Sequence, residues 1–167
     1  PSLAVTPLLR ERLSAVGPPD AGLTATTPVP WATLLERPLV LPMPGHGLRA
    51  LVDQSRPPAG TKFQISVETN SMQVQKHLVM GGHGWTILPA IGVAREVAAG
   101  LLSAAPLTEP DVSRSIVLTL QRVRRTAPPV DAVADILVGL VRRLVRSGLW
   151  PSAALSTDDA TRGVPLA

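Results

Sequence analysis

The stretch "SVETNSMQVQKHLVMGGHGWTILP", residues 66–89, carries the most informative ordered pattern in the chain. Its first three residues are the end of "KFQISVE" (62–68), whose alternating apolar residues predict a strand. Asn70 or Ser71 is a natural N-cap for the next segment, in which apolar side chains recur at helical spacing. The beginning of the stretch therefore predicts a strand that leads directly into an amphipathic helix.

The glycines of the same stretch end that helix and begin a second strand. Gly81 and Gly82 suit a helix C-terminus that needs a left-handed residue. Gly84 allows a sharp turn into "WTILP" (85–89), which predicts a short buried strand. A phosphate-binding loop and a dinucleotide fingerprint both place glycines after a strand and before a helix, and here the order is reversed. We therefore interpret the glycines as structural.

Further elements lie on both sides of this stretch. The run "PLVLPM" predicts a buried strand, and "SIVLTLQR" predicts another. Helical periodicity marks three additional segments, the last of which has arginines near its end, where the helix dipole favours cations. These strands and helices lie at 38–43, 115–122, 46–56, 89–100 and 128–148. Strands that alternate with helices of this length predict crossover units and a largely parallel sheet.

The composition limits the class of protein. With 45% hydrophobic and 17% charged residues among 167, the chain can bury an aliphatic core. The net charge of +4 and the pI of about 11.0 suggest nucleic acid, but the arginines are scattered and are not interleaved with aromatic residues. The absence of cysteine excludes disulfides and thiolate metal sites. We therefore expect an aliphatic domain that is basic without a nucleic-acid motif.

No catalytic constellation is visible in the sequence. There is no G-x-S-x-G elbow, the carboxylates are few and separated, and the three histidines are His46, His77 and His83. We expect no enzyme activity, no catalytic residue, no metal site and no cofactor. No apolar run approaches the roughly 20 residues of a membrane span, so we expect no membrane contact. Because residue 1 is Pro rather than Met, the chain looks like a piece of a longer protein.

The ordered series of elements resembles the effector-binding domain of LysR-type transcriptional regulators. The family pattern "V-x-x-G-x-G-x-x-x-L-P" is matched at Val79, Gly82, Gly84, Leu88 and Pro89. The segment "LLERPLVLPMPGHGLRALVD" resembles the family's strand and following loop, and "LTEPDVSRSIVLTLQR" resembles its return strand. The similarity extends over nearly all of residues 3–149, although no single motif is highly specific.

The resemblance implies an α/β fold of two lobes, like a periplasmic binding protein, with the second lobe nearly complete and the first lobe partial. Residues 1–19 are then part of the first lobe and the first hinge. Residues 20–104 form the second lobe, and 105–150 return to the first lobe with a closing helix. Residues 151–167 have no periodicity and predict a disordered tail.

Ligands of open α/β sheets bind beyond the carboxyl ends of strands, and two such ends can be named. One strand leads into Pro44-Gly45-His46-Gly47, and the other leads into Thr69-Asn70-Ser71. Each segment opens a helix, whose free backbone N–H groups suit a carboxylate. His46 is a candidate hydrogen-bond donor. The alternatives are plain N-capping by Thr69, Asn70 and Ser71, and a solvent-exposed loop residue for His46.

By resemblance, the chain is the effector-sensing domain of a cytoplasmic bacterial regulator that binds a small carboxylate inducer in a cleft between the lobes. DNA would be contacted only through an N-terminal helix-turn-helix that is missing from this sequence. The protein would be a homo-oligomer, either a dimer or a tetramer. Two alternatives are a solute-binding protein of a transporter and an enzyme on a similar fold.

Overall fold

The structure, a computed structural model, describes residues 3–55, 62–121 and 127–156. Two short 3-10 helices, Pro19–Ala21 and Trp31–Glu36, accompany the regular elements. Within the described residues, the chain forms in order β1 (Leu3–Gly17), β2 (Val29–Pro30), β3 (Pro38–Leu41), α1 (Gly47–Gln54), β4 (Gln64–Glu68), α2 (Met72–Met80), β5 (Thr86–Pro89), α3 (Ala90–Ala98), β6 (Ser103–Thr108), β7 (Ser113–Gln121), α4 (Pro128–Arg146) and β8 (Ala153–Leu155).

The chain divides into two compact units. Unit 1 contains residues 1–11 and 114–167, and unit 2 contains residues 12–113. The boundaries between the units lie inside β1, at 11/12, and at the start of β7, at 113/114. The predicted boundaries were 19/20 and 104/105, so each observed boundary lies nearer to a chain end. The reason is that β1 continues through the predicted hinge and pairs within unit 2 as far as Gly17. The assignment of these units to a first and a second lobe stays a prediction.

Unit 2 is built around the buried strand β3. Its Leu39, Val40 and Leu41 side chains are fully buried, as "PLVLPM" predicted. β4 pairs with β3 in parallel on one side. On the other side, the Trp85 N–H donates to Pro38 O and the Val40 N–H donates to Trp85 O, both at 2.8 Å. The predicted strands and helices between residues 38 and 100 are therefore confirmed, with ends shifted by a few residues.

The remaining strands of unit 2 correct the prediction of a largely parallel sheet. The part of β1 from Leu13 to Gly17 pairs antiparallel with both β5 and β6. Only the short β2 runs parallel to β6. The prediction was wrong because β1 itself was missed. Its sequence "LAVTPLLRERLSAVG" contains a proline. The strand is mostly exposed in its first half and mostly buried in its second, so apolar and polar residues do not alternate along it.

The glycine segment has the structural role that its order in the sequence predicted. At the end of α2, Gly82 adopts a φ of 76°, and the Gly82 N–H donates to Val79 O at 3.0 Å. Gly84 has a φ of 142°, and a Cβ built there would lie 2.5 Å from Pro38 O. A side chain at Gly84 would therefore collide with the backbone of β3, so the close approach of the two segments requires glycine.

Unit 1 combines a small apolar cluster with one buried charge. Val141 of α4 packs with Leu8 and Leu9 of β1. β8 pairs antiparallel with β1, so the predicted disordered tail at 151–167 is wrong for Ala153–Leu155. The pairing could not be seen in the sequence, because a three-residue strand gives no periodicity. Residues 157–167 lie outside the described residues.

The buried charge of unit 1 is the carboxylate of Glu11, whose side chain is fully buried. One of its oxygens accepts hydrogen bonds from Arg114 Nε at 2.9 Å and Nη2 at 2.8 Å. The other accepts from Trp150 Nε1 at 2.7 Å. A buried carboxylate is tolerated when both oxygens have partners, and here one cation and one indole supply them.

Candidate functional site

The two predicted loops lie side by side at the carboxyl ends of β3 and β4. The two strands are parallel and in register at their ends, where Leu41 lies opposite Glu68. Beyond that point, the Thr69 N–H donates to Leu41 O at 2.9 Å. The Met43 N–H donates to Asn70 Oδ1 at 3.0 Å. These two hydrogen bonds hold the segment that leads to α1 against the segment that leads to α2.

The side chains of Thr69 and Ser71 are engaged at the start of α2. Ser71 Oγ accepts from the Val74 N–H at 3.4 Å, which makes Ser71 the N-cap. Thr69 Oγ1 accepts from the Ser71 N–H at 3.3 Å. The Gln75 side chain donates to Thr69 O at 2.8 Å and ties the loop to the first turn of the helix. Of the three residues for which the sequence left capping open, the structure shows Ser71 as the helix N-cap, whereas Asn70 Oδ1 accepts from the Met43 N–H.

The loop at 44–47 is exposed and ends in a histidine cap. His46 Nδ1 accepts from the Leu48 N–H at 3.2 Å, so His46 is the N-cap of α1. An imidazole that accepts at Nδ1 is neutral and carries its hydrogen on Nε2. Gly45 has a φ of 89°, a conformation that favours glycine, and this turn directs the chain into the helix.

Backbone N–H groups without an intrahelical acceptor lie at the start of α1 and at the start of α2. The first residues of any helix have no intrahelical acceptor for their N–H groups. His46 satisfies one such group in α1, and Ser71 satisfies one in α2, which leaves the N–H groups of Gly47 and Arg49 and those of Met72 and Gln73. In general, N–H groups at a helix N-terminus and the positive end of the helix dipole suit a small anion.

Arg49 is a residue of this region that the sequence reasoning missed. Its side chain is 11% exposed and donates from Nη1 to Glu68 Oε1 at 2.6 Å and to Pro42 O at 3.0 Å. Its Nε donates to Asp53 Oδ2 at 3.0 Å. The hydrogen bond to Glu68, together with the attraction of Asp53, raises the pKa of Arg49 despite its burial. The guanidinium therefore stays charged and clamps the ends of β3 and β4 to α1.

Part of this clamp was accessible from the sequence. Arg49 and Asp53 are four residues apart, a spacing that brings charged side chains together on a helix. The partnership with Glu68 depends on the register of β3 against β4, which the sequence alone does not give. Because its charge is balanced by two carboxylates, Arg49 positions the loops and is not a spare cation for a ligand.

The described residues contain no group of three or more His, Asp or Glu side chains that could hold a metal ion. Over the same residues, no helix is long and apolar enough to cross a membrane.

Comparison with known proteins identifies the class to which this fold belongs. The family model of the LysR substrate binding domain matches residues 1–142. The chain is 31% identical over 151 residues to the HTH-type transcriptional regulator BbuR of Bordetella bronchiseptica, and the match covers 90% of this chain and 46% of the relative. The chain thus spans about half the length of the curated relatives it matches.

Two solved structures share the fold. The regulatory domain of CcmR from Synechocystis PCC6803, in complex with 2-PG, superposes with a TM-score of 0.72 at 18% identity, covering 84% of this chain and 67% of that one. The effector-binding domain of QuiR, in complex with shikimate, gives 0.68 at 19% identity, covering 84% and 66%. These similarities show the predicted α/β, periplasmic-binding-protein-like class.

The particular family follows from the match over most of the chain. The chain belongs to the LysR substrate-binding domain family. This membership confirms the resemblance on which the sequence interpretation rested, and it decides against a solute-binding protein of a transporter. The matched relatives are named as transcriptional regulators rather than as enzymes.

Proposed function

We propose that this chain is the effector-sensing domain of a LysR-type transcriptional regulator and that it binds a small carboxylate at the joined ends of β3 and β4. The proposed binding residues are Pro44, Gly45, His46, Gly47, Thr69, Asn70 and Ser71. The observation that carries the proposal is the Met43–Asn70 hydrogen bond, which holds two helix N-termini side by side. The bound small molecules of QuiR and CcmR support the same class of ligand for this chain.

The seven residues have different roles in this proposal. Pro44, Gly45 and Gly47 are exposed and shape the approach to the first turn of α1. The caps His46 and Ser71 set the direction of the remaining N–H groups, and His46 Nε2–H is a further donor. A carboxylate is preferred over a neutral ligand, because each helix N-terminus carries a partial positive charge.

The remaining parts of the proposal concern the whole protein. Effector binding changes the activity of a regulator only if the effector has different affinities for two conformational states. We propose that the regulator acts in the cytoplasm as a homo-oligomer, either a dimer or a tetramer, and that DNA is bound through a helix-turn-helix outside this sequence. The chain by itself is then expected to show no salt-resistant, operator-specific DNA binding.

Binding is tested by calorimetry with a panel of aromatic acids, sulfur metabolites and nitrogen-pathway acids. Ser71→Ala and His46→Ala remove caps and should each destabilise the chain by about 1 kcal/mol. Each should also weaken binding of the active acid by about tenfold, because misdirected N–H groups lose about 1.4 kcal/mol of binding free energy. Ser147→Ala is the matched control, since Ser147 Oγ donates to Leu144 O at the far end of α4.

Two results would contradict the proposal. In the first, both cap variants lose stability but bind the acid as tightly as the unchanged chain, which would place the site elsewhere. In the second, the chain converts an acid of the panel into a product, which would make it an enzyme. Incubation of each acid with the chain, followed by mass spectrometry, tests the second result.

A further inference from the structure

Gln75 is a buried polar residue in the first turns of α2, with a side chain that is 2% exposed. Its Nε2 donates to Thr69 O at 2.8 Å. Its Oε1 is also buried, but this oxygen has no hydrogen-bond partner among the described residues. Buried acceptors without a donor destabilise a fold and are therefore rare in native proteins. The unpartnered oxygen thus indicates a role other than stabilisation of α2.

The orientation of the Gln75 amide is fixed by its contact with Thr69. If the amide were turned over, Oε1 would lie against the carbonyl oxygen of Thr69, and two acceptors would face each other. The amide nitrogen therefore takes this position, and the oxygen is the group that remains free. An amide oxygen accepts and cannot donate, so its partner must be a donor such as a hydroxyl or an amine.

The amide lies at the edge where β3 and β4 end. The Thr69 N–H donates to Leu41 O at the end of β3, and Thr69 O accepts from Gln75. Gln75 is also within one helical turn of Met72 and Gln73, whose backbone N–H groups have no intrahelical acceptor. The free oxygen is therefore the acceptor of an edge at which the other free groups are donors.

We propose that Gln75 Oε1 accepts a hydrogen bond from a hydroxyl group of the effector, so that the site selects a hydroxycarboxylic acid over the same acid without the hydroxyl. A hydroxyl suits this position better than an ammonium group, because the two helix N-termini carry partial positive charges. The oxygen is covered in this structure, so binding includes a small rotation of the Gln75 side chain. Rotamer changes of this kind are common on binding.

This inference names the class of effector and rests on the proposed function. The two can fail separately, because the carboxylate is bound by backbone N–H groups and the hydroxyl by a side chain. An acid without a hydroxyl should therefore still bind, but more weakly.

Calorimetry with pairs of acids that differ by one hydroxyl group tests the selectivity. The pairs are mandelate with phenylacetate, malate with succinate, and lactate with propionate. In at least one pair, the unchanged chain should bind the hydroxy acid about tenfold more tightly, since one buried hydrogen bond contributes a factor of this order. In NMR spectra, the side-chain NH2 signals of Gln75 should shift with the hydroxy acid of that pair and less with its counterpart.

Two variants of Gln75 separate selectivity from a structural role. Gln75→Leu removes the acceptor and should lower the ratio of the two affinities to about one. Gln75→Glu keeps an acceptor but loses the donor to Thr69 O, so both affinities should fall while the hydroxy acid stays preferred. If Gln75 only held the loop, both variants would weaken the two acids equally and leave the ratio unchanged. Circular dichroism checks that each variant is folded.

Thr86→Val provides the matched control. Thr86 is fully buried, and its Oγ1 likewise has no hydrogen-bond partner among the described residues. Thr86 lies within the sheet, opposite Val16 of β1, rather than in a loop at the ends of β3 and β4. Its substitution removes a buried oxygen and should leave the ratio of the two affinities unchanged.

Three results would overturn the inference. The first is equal affinity of the unchanged chain for both acids of every pair that binds, which would leave the proposed function intact. The second is a preference for the hydroxy acid that persists in Gln75→Leu, which would assign the hydroxyl to another residue. The third is binding of no acid from any pair, which would contradict the proposed function as well.

Discussion

The two units of this chain have different kinds of interior. Among the described residues, unit 2 contains two hydrophobic clusters, of ten and five buried residues, whereas unit 1 contains one cluster of three. Unit 1 instead buries the Glu11 carboxylate with Arg114 and Trp150. Many apolar contacts stabilise unit 2, so the loss of any one of them should lower its stability by a small fraction. Unit 1 depends on fewer interactions, each of which should matter more.

The largest expected effect follows from breaking the buried ion pair of unit 1. Glu11→Ala removes the carboxylate and leaves Arg114, which is 37% exposed, without its partner. Loss of one member of a buried pair costs about 3–5 kcal/mol. Because Arg114 is partly solvated, we expect the loss of stability to lie at the lower end of this range. Urea unfolding, monitored by hydrogen exchange of residues 114–121, measures this loss.

The neighbouring residue provides the control for this experiment. Arg12 pairs with Asp111 at 3.0 Å, but the two side chains are 59% and 51% exposed. An exposed pair contributes less than about 1 kcal/mol, so Arg12→Ala should change stability little. If Glu11→Ala and Arg12→Ala had equal effects, the buried charge would not be important for unit 1.

The next largest effect is expected at the glycine turn of unit 2. Gly84→Ala forces a Cβ against Pro38 O and places alanine at a φ of 142°. Overpacking and backbone strain together should cost about 2 kcal/mol. Gly82→Ala also occupies a positive φ, but a Cβ there meets nothing within 4 Å, so it should cost about 1 kcal/mol.

Thermal unfolding of the two alanine variants measures this difference directly. Equal losses of stability would mean that the β3 backbone moves away from residue 84, and that the turn does not fix the approach of the two segments. A larger loss for Gly82→Ala than for Gly84→Ala would contradict the collision argument.

A smaller, pH-dependent effect is expected where α2 meets α3. Lys76 Nζ donates to Glu96 Oε1 at 2.6 Å, and the two side chains are 11% and 18% exposed. The hydrogen bond from Lys76 lowers the pKa of Glu96 below its usual 4.5. Since the folded pKa is below the unfolded one, the stabilisation is complete above about pH 4.5 and is lost as the pH falls through the folded pKa.

Urea midpoints at neutral pH and in acid test this expectation. The Glu96→Gln variant should lose about 1 kcal/mol relative to the unchanged chain at neutral pH. In acid, where Glu96 is protonated in both states, the difference should narrow. A difference that stays constant across this range would show that the stabilisation does not come from the charged form of Glu96.

The sequence predicted unit 2 better than unit 1, for a physical reason. In unit 2, local signals agree with the fold: alternation in β4, capping at Ser71 and the glycine turn all lie within one short stretch. The juxtaposition of the loops at 44–47 and 69–71 was also predictable, since parallel neighbouring strands end at the same edge. The clamp by Arg49 was missed because it depends on strand register.

The failures lie where partners are distant in sequence. β1 pairs with β8 over more than 140 positions, and Glu11 meets Trp150 over 139. Neither strand shows an alternation of apolar residues from which its pairing could be predicted. As a result, β1 was missed and Ala153–Leu155 was assigned to a tail. The exposure of Val133, Leu137 and Leu140 lies on one face of α4, in agreement with the helical periodicity of this segment.

The carboxylate site is tested most directly by amide NMR of the chain titrated with each acid of the panel. The proposal predicts that an acid that binds shifts the amides of Gly47, Arg49, Met72 and Gln73 most, because their N–H groups are the donors. The amides of Leu48 and Val74 should respond less, since their N–H groups already donate to the caps His46 and Ser71. Shifts confined to unit 1, or no shift with any acid, would contradict a binding site at the ends of β3 and β4.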